Sequence, residues 1–329
     1  GLFAFLVSRQ ILVKVGIKHT FVASMLLYAA AFFVIQHDVS PAIIWTWVLL
    51  SGFTNALYAS AHHAYLALNV DAHSAGKQVA TLSIVATFAG IVTPFVGALL
   101  ISLFGFQHML LAGSLVLVIS VIPLFFSAEI DVSKQILLRG CSHFSEFWKS
   151  RKRIVLATIG HGFNGASDPL WDSLYMYKLL GGIRLLGGLR SVIAFIQICV
   201  SYMSGRRLDA NRSAFNVGIN GSILARMLTF ASFHPYVAMM SEAADGIVRP
   251  LFTTAYDATF YKELKGEYAI SRVVAHESVW HLAHIFAMTI ITLGVYLWGW
   301  YAFLIVGIFM IISRLIIRHQ RIGAIENTQ

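Results

Sequence analysis

Four charged side chains stand inside one stretch long and apolar enough to cross a bilayer, residues 235–261 (PYVAMMSEAADGIVRPLFTTAYDATFY): Glu242, Asp245, Arg249 and Asp257. A charge at mid-membrane costs at least about 2.5 kcal/mol, so such groups normally face a bundle interior or a watery cavity. Glu242, Asp245 and Arg249 follow i, i+3, i+7 spacing, which sets them on one helix face, and Asp245 and Arg249 are spaced to pair at i, i+4. A carboxylate whose arginine partner approaches in one state and withdraws in another changes its proton affinity. The face therefore suits a path for a polar solute or a proton, or else a static ion pair that fixes helix packing. Thr253 and Tyr256 continue the same span, whereas Asp257, one turn from a loop, suits a helix-end contact.

Two further apolar stretches carry polar side chains. Residues 153–178 contain His161, Asn164, Asp168, Trp171, Asp172 and Tyr175, with His161, Asn164 and Asp168 on one face and Asp168 and Asp172 at i, i+4. Asp168 and Asp172 suit either a solute path or a hydrated outer mouth. Residues 41–68 contain Asn55, Tyr58, His62 and His63. In HESVWHLAHI, Glu277, His281 and His284 form a stripe suited to interhelical hydrogen bonds or a proton relay. The metalloprotease order His-Glu-x-x-His is absent, as is a glycine-rich loop ending in lysine for nucleotide phosphates. No metal, cofactor or enzymatic activity is expected.

The elements that must position these groups are membrane helices. The 329 residues are 58% hydrophobic and 12% charged, with mean hydropathy +0.74, whereas soluble domains carry about 25% charge. Two cysteines, Cys141 and Cys199, make no disulfide framework or metal spacing. Apolar runs of spanning length cover 19–36, 41–68, 78–104, 106–127, 153–178, 187–204, 213–232, 235–261, 270–298 and 300–319, with a partial run at 1–13. Placing alternate loops on opposite sides puts nineteen lysines and arginines on one side and only Lys178, Arg184 and Arg190 on the other. That asymmetry assigns the first side, with the central linker and the C-terminus, to the cytoplasm. It also explains the net charge of +9 without a nucleic-acid partner. Arg226 lies within a span and has no evident local partner. Trp45, Trp47, Trp298, Trp300 and Tyr301 sit near span ends as interfacial anchors.

The chain also repeats itself. At an offset of 194 residues Pro41 meets Pro235, Gly52 meets Gly246, Ala61 meets Ala255, Val79 meets Val273 and Gly105 meets Gly299. The run at 153–178 has its counterpart upstream of residue 1, so twelve spans in two halves of six are expected, with the first span lacking here. The expected organisation is an N-terminal transmembrane half at 1–127, a cytoplasmic linker at 128–152 and a C-terminal half at 153–329.

Two six-span halves joined by a basic linker resemble the major facilitator superfamily of secondary transporters. That family carries Gly-x-x-x-Asp-Arg and further basic residues in the loop between spans two and three, repeated between eight and nine. The second copy here, SGRRLDANR, keeps Gly205, Asp209 and Arg212, with Ala210 replacing a basic residue; the first, QILVKVGIKH, keeps Gly16 and Lys18 but has Val15 at the acidic position. AGIVTPFVGA keeps Pro94 and Gly97 of a span-five exporter pattern. The resemblance implies an all-α polytopic bundle of two pseudo-symmetric halves whose spans one, four, seven and ten line a central cavity. It implies alternating-access transport of a small solute, with protons as the expected coupling ion. The implied lining is Asn55, His62, His161, Asn164, Asp168, Asp172, Glu242, Asp245, Arg249 and Tyr256, with Gly205, Asp209 and Arg212 forming a conformational loop. On this sequence the cavity leans toward a cationic or zwitterionic solute. The chain is expected as a monomer in a prokaryotic inner membrane; the rival readings are a non-transporting receptor or scaffold of this fold and a multispan membrane enzyme.

Overall fold

Backbone crossing hydrocarbon must satisfy its own N–H and C=O groups, and the long apolar runs do so by coiling into helices. The computed structural model describes residues 2–36, 40–71, 75–130, 149, 152–181, 183–205, 212–232, 234–264 and 268–318. Its principal helices are Leu2–Val15, Ile17–Ile35, Pro41–Asn69, Ala75–Phe104, Phe106–Ser120, Lys152–Pro169, Ile183–Gly205, Arg212–Ser232, Pro235–Leu264, Ala269–Trp298 and Ala302–Arg318. Each overlays one expected apolar run. Among the described residues, five helical stretches are at once long and apolar enough to cross a membrane on composition alone: Ile17–Ile35, Pro41–Asn69, Phe106–Phe125, Leu186–Met203 and Ala269–Trp298. The polar residues that lower the hydropathy of Lys152–Pro169 and Pro235–Leu264 are the ones singled out above for chemistry. Most of the linker at 128–152, and Asp209 of the loop motif, lie outside the described residues, as does the side chain of Arg212.

The chain divides into two packed units. The first comprises Gly1–Asn69, Thr93–Ser145 and Leu264–Ser278; the second comprises Val70–Val92, Glu146–Glu263 and Val279–Gln329. In the first, the Ile17–Ile35 helix packs on Pro41–Asn69 and Phe106–Ser120. Leu12, Ile17, Ala61, Ala64 and Ile270 form its buried centre. Alanines three apart give a helix face smooth enough for close approach, the usual solution where lipid supplies no hydrophobic drive. Ser114 Oγ donates to the Ala29 carbonyl at 3.1 Å across that packing. Gly105 and Gly299, paired at the 194-residue offset, both adopt positive φ (87° and 56°), each just ahead of a helix. A side chain at either would be strained, so the repeat preserves a backbone requirement as well as a residue type.

The second unit is held by backbone-close helix contacts at glycines. A Cβ at Gly160 would meet the Ser313 carbonyl at 2.8 Å, and one at Gly218 would meet Leu251 Cβ at 2.8 Å and the Val248 carbonyl at 2.9 Å. Gly162 lies equally close to Trp280 and Ala283. Lys152–Pro169 is thereby drawn onto Ala302–Arg318 and Ala269–Trp298, and Arg212–Ser232 onto Pro235–Leu264. Trp171, Tyr175, Met176, Ile291 and Met310 fill the core among them.

One span departs from the expected continuous helix. After Pro169, which lacks the amide hydrogen an α-turn needs, residues Leu170–Tyr175 form a π-helix before Met176–Leu180 resumes α geometry. The i, i+4 argument that joined Asp172 to Asp168 assumed 3.6 residues per turn and does not carry through this segment. The Asp172 side chain lies outside the described residues.

Gly218→Ala is expected to lower the thermal midpoint of the purified protein, because backbone atoms stand where its Cβ must go. Gly113→Ala, where a Cβ meets nothing within 4 Å, is expected to leave it unchanged or raise it, Ala being favoured over Gly in helices by about 1 kcal/mol. Equal midpoints for the two variants, measured by differential scanning fluorimetry, would contradict the packing account.

Candidate functional site: a buried arginine–carboxylate network

The close approach at Gly218 places the Arg212–Ser232 helix so that its Arg226 reaches Pro235–Leu264. Arg226 donates to Glu242, and its Nη2 donates to Asp245 Oδ2 at 2.9 Å. The i, i+4 pair expected from spacing is present: Arg249 Nε donates to Asp245 Oδ2 at 2.8 Å. Ser222 Oγ donates to Asp245 Oδ1 and itself accepts from Arg314 Nε at 3.1 Å. Asp245 is thus held by two guanidinium groups and a hydroxyl.

From there the network extends to the Lys152–Pro169 helix. Arg249 Nη1 stands 3.3 Å from Asp168 Oδ2, and Arg314 Nη2 donates to Asp168 Oδ1 at 3.4 Å. Asn164 Nδ2 donates to Asp168 Oδ2 at 2.7 Å while its Oδ1 accepts from Arg314. The π turn carries Trp171 inward, where Nε1 donates to Glu242 Oε1 at 3.2 Å; Arg190 Nη1 approaches Glu242 Oε2 at 3.7 Å.

Exposure separates the members. Glu242, Asp245, Arg226 and Arg314 have side chains only 1–2% exposed, whereas Asp168 and Arg249 are 13% and 21% exposed and Arg190 is 30% exposed. The first four form an ion-paired brace; the last three form its accessible edge. Buried charges are tolerable only when paired and hydrogen-bonded, and here each carboxylate has an arginine and at least one further donor.

The network joins Asn164 and Asp168 of one helix to Glu242, Asp245 and Arg249 of another, two sets that spacing had placed each on its own helix face. His161 instead stacks on Tyr256, ring centroids 3.9 Å apart, both on helices of the same unit. Asn55 and His62 belong to the other unit, where Asn55 is exposed and His62 stacks on Tyr58 at 5.7 Å. Spacing within one helix could not find Arg226 a partner, because its partners lie on the next helix. Arg314 was missed for a different reason: near the end of the last span it counts as a loop cation, yet it is buried. The stripe in HESVWHLAHI also resolves differently. Glu277 is bonded to His276 and to His63 of Pro41–Asn69, while His281 and His284 pack about the Trp280 ring.

The first copy of the loop motif recovers an acid from elsewhere. Glu129 Oε1 accepts the Lys18 backbone N–H at 3.1 Å and its Oε2 lies 2.9 Å from His19 Nδ1. Lys18 Nζ donates to the Phe125 and Ser127 carbonyls at 3.1 and 2.7 Å. A carboxylate at a helix N-terminus is favourably placed for the amides there, so Glu129 supports the start of the Ile17–Ile35 helix.

The sequence profile of the Major Facilitator Superfamily matches residues 1–275, and the chain belongs to that family. It is a multi-pass membrane protein with a transporter fold. It is similar to the human organic anion transporter MFSD10 (TETRAN), with 13% identity over 96% of this chain and 80% of that one and a TM-score of 0.74. The proton:xylose symporter XylE, solved with 6-bromo-6-deoxy-D-glucose, is 13% identical over 97% of this chain and 83% of its own, with a TM-score of 0.71. The E. coli fucose:proton symporter FucP is 10% identical over 97% and 87%, with a TM-score of 0.69. No curated protein sequence matches the chain.

Removing one member of the brace strands the others. Arg226→Ala is expected to destabilise the protein by about 3–5 kcal/mol, because Glu242 and Asp245 stay buried with a partner lost. Adding Glu242→Gln to that variant is expected to recover part of the loss in chemical unfolding. Strict additivity of the two substitutions would contradict the coupling.

Proposed function

We propose that the chain is a secondary transporter that carries a small solute by alternating access with proton coupling, acting as a monomer. The observation that carries this reading is the accessible edge of the network: Asp168, Arg249 and Arg190 remain partly exposed while their partners are sealed. A polar solute entering there exchanges hydrogen bonds with Asp168 and Arg249 and so biases the arrangement of two helices. Such state-dependent contacts are what alternating access requires. Among the described residues, four guanidinium groups face three carboxylates, which favours an anionic or hydroxylated neutral solute and reverses the lean toward a cationic or zwitterionic one, which set several carboxylates against a single arginine. The solutes named for the similar structures, sugars and organic anions, agree with that direction.

The two repeated halves, 1–127 and 153–329, are the bodies that we propose rock about the solute, with the linker at 128–152 on the cytoplasmic side and Gly205, Asp209 and Arg212 in the second conformational loop. The charge bias of the loops supports that orientation, and an inner membrane of a prokaryotic cell is the proposed location.

Thermal unfolding of the purified full-length protein against monosaccharides and organic acids, at about pH 5.5 and 7.5, tests the solute class, since a ligand bound only by the folded state raises the midpoint. Asp168→Asn and Arg249→Lys are expected to reduce the shift caused by the best solute at least severalfold, while lowering the solute-free midpoint less than Arg226→Ala does. Full shifts in both variants would remove these residues from the solute path.

A further inference from the structure

The brace leaves the proton without an obvious seat, since every carboxylate in it is already paired with arginine. The first unit holds a different arrangement. Glu277, 5% exposed, sits between two imidazoles on two helices: its Oε1 is 3.3 Å from His63 Nε2 of Pro41–Asn69 and 3.3 Å from His276 Nδ1 of its own helix. His63 stands edge-on to His62, centroids 5.3 Å apart, and to His276 at 6.2 Å, and His62 stacks on Tyr58. Exposure falls along the chain of groups, from 28% at His63 to 5% at Glu277.

We infer that Glu277, bridged by His63 and His276, is the proton-binding site of this transporter. The inference rests on the proposed proton coupling. An arginine–carboxylate pair keeps both charges at any physiological pH, so protonating it means breaking it. In an imidazole–carboxylate contact the proton is the variable part: the ionised carboxylate accepts from an imidazole N–H, and the protonated acid donates to the imidazole nitrogen instead. One proton is taken up at Nδ1 of His63, the more exposed member, while the Nε2 proton passes to Glu277 Oε1, so that the new acid donates to a neutral His63; release runs the same steps backwards. Nothing is oxidised or reduced.

Other charged groups described in the unit have contacts of their own. On the helices packed against Pro41–Asn69, Lys14 is exposed, the Lys18 ammonium donates to the Phe125 and Ser127 carbonyls and His19 meets Glu129. The Arg9 side chain lies outside the described residues. On the Ala269–Trp298 helix, Arg272 lies over the Tyr268 ring at 5.8 Å. The site differs from the Asp245 switch suggested by spacing, because it links two helices that are more than two hundred positions apart in sequence, and its hydrogen bond reverses direction with one proton.

The test uses the proton alone, with no solute. Infrared difference spectra of the full-length protein in lipid nanodiscs, stepped from about pH 8 to about pH 5, follow the carbonyl stretch of a newly formed carboxylic acid. The expected result is a titrating band that is lost in Glu277→Gln, persists in Asp245→Asn and moves its midpoint in His63→Gln. A band retained in Glu277→Gln, or lost in Asp245→Asn, overturns the assignment. If Glu277→Gln does not fold, His63→Gln decides: it leaves the carboxylate in place, and an unmoved midpoint overturns the bridge. The coupling role fails separately. Solute uptake into proteoliposomes that ignores an imposed pH gradient, with the Glu277 band intact, removes proton coupling while leaving both the proton site and transport standing.

Discussion

The Arg226 guanidinium, bonded at once to Glu242 and Asp245, is the constraint on which the second unit depends. In hydrocarbon an isolated charge is too costly to keep, so each of these three groups fixes where the other two must lie. Two adjacent helices are brought into a single register by it, and Gly218 supplies the backbone proximity that makes the reach possible. Ser222 then hands the arrangement to Arg314, and Arg314 to Asn164 and Asp168. Four helices are thereby tied through polar atoms inside a fold whose apolar surfaces could slide against one another at little cost.

That tie gives the unit an inside and an edge. The sealed members carry structure; the partly exposed Asp168, Arg249 and Arg190 can exchange partners with something small and polar. The π turn after Pro169 belongs to the same design, since it carries Trp171 to Glu242 and ends the α register just beyond Asp168. The division of labour extends to the first unit, where histidines rather than arginines meet the buried carboxylate. Fixed cations suit permanence, and imidazoles suit a bond that a proton can change.

Much of this was legible in the sequence for a simple reason: helix length and helix face are local properties. Apolar run lengths gave the span order, i, i+4 spacing found the Asp245–Arg249 contact, and helix periodicity set Asn164 and Asp168 on one face. The 194-residue offset picked out Gly105 and Gly299, whose shared positive φ shows a common backbone demand. What stayed hidden lies between helices. Arg226 and Glu277 have their partners on neighbouring helices, and no spacing rule sets the relative rotation of two helices. Arg314 was hidden by its position, since a cation near the end of a span reads equally well as a loop charge. The π turn was hidden because Pro169 signals a break without saying how the helix recovers.

Active transport is the central claim, and counterflow-free uptake tests it most directly. The full-length protein is reconstituted into proteoliposomes, and monosaccharides and organic acids are followed under an inward proton gradient and without one. The account predicts that at least one polar solute accumulates above its external concentration only while the gradient lasts, and that Asp168→Asn abolishes this accumulation. Folded, correctly inserted protein that moves no solute under either condition would contradict the account and favour a receptor or scaffold built on the same fold.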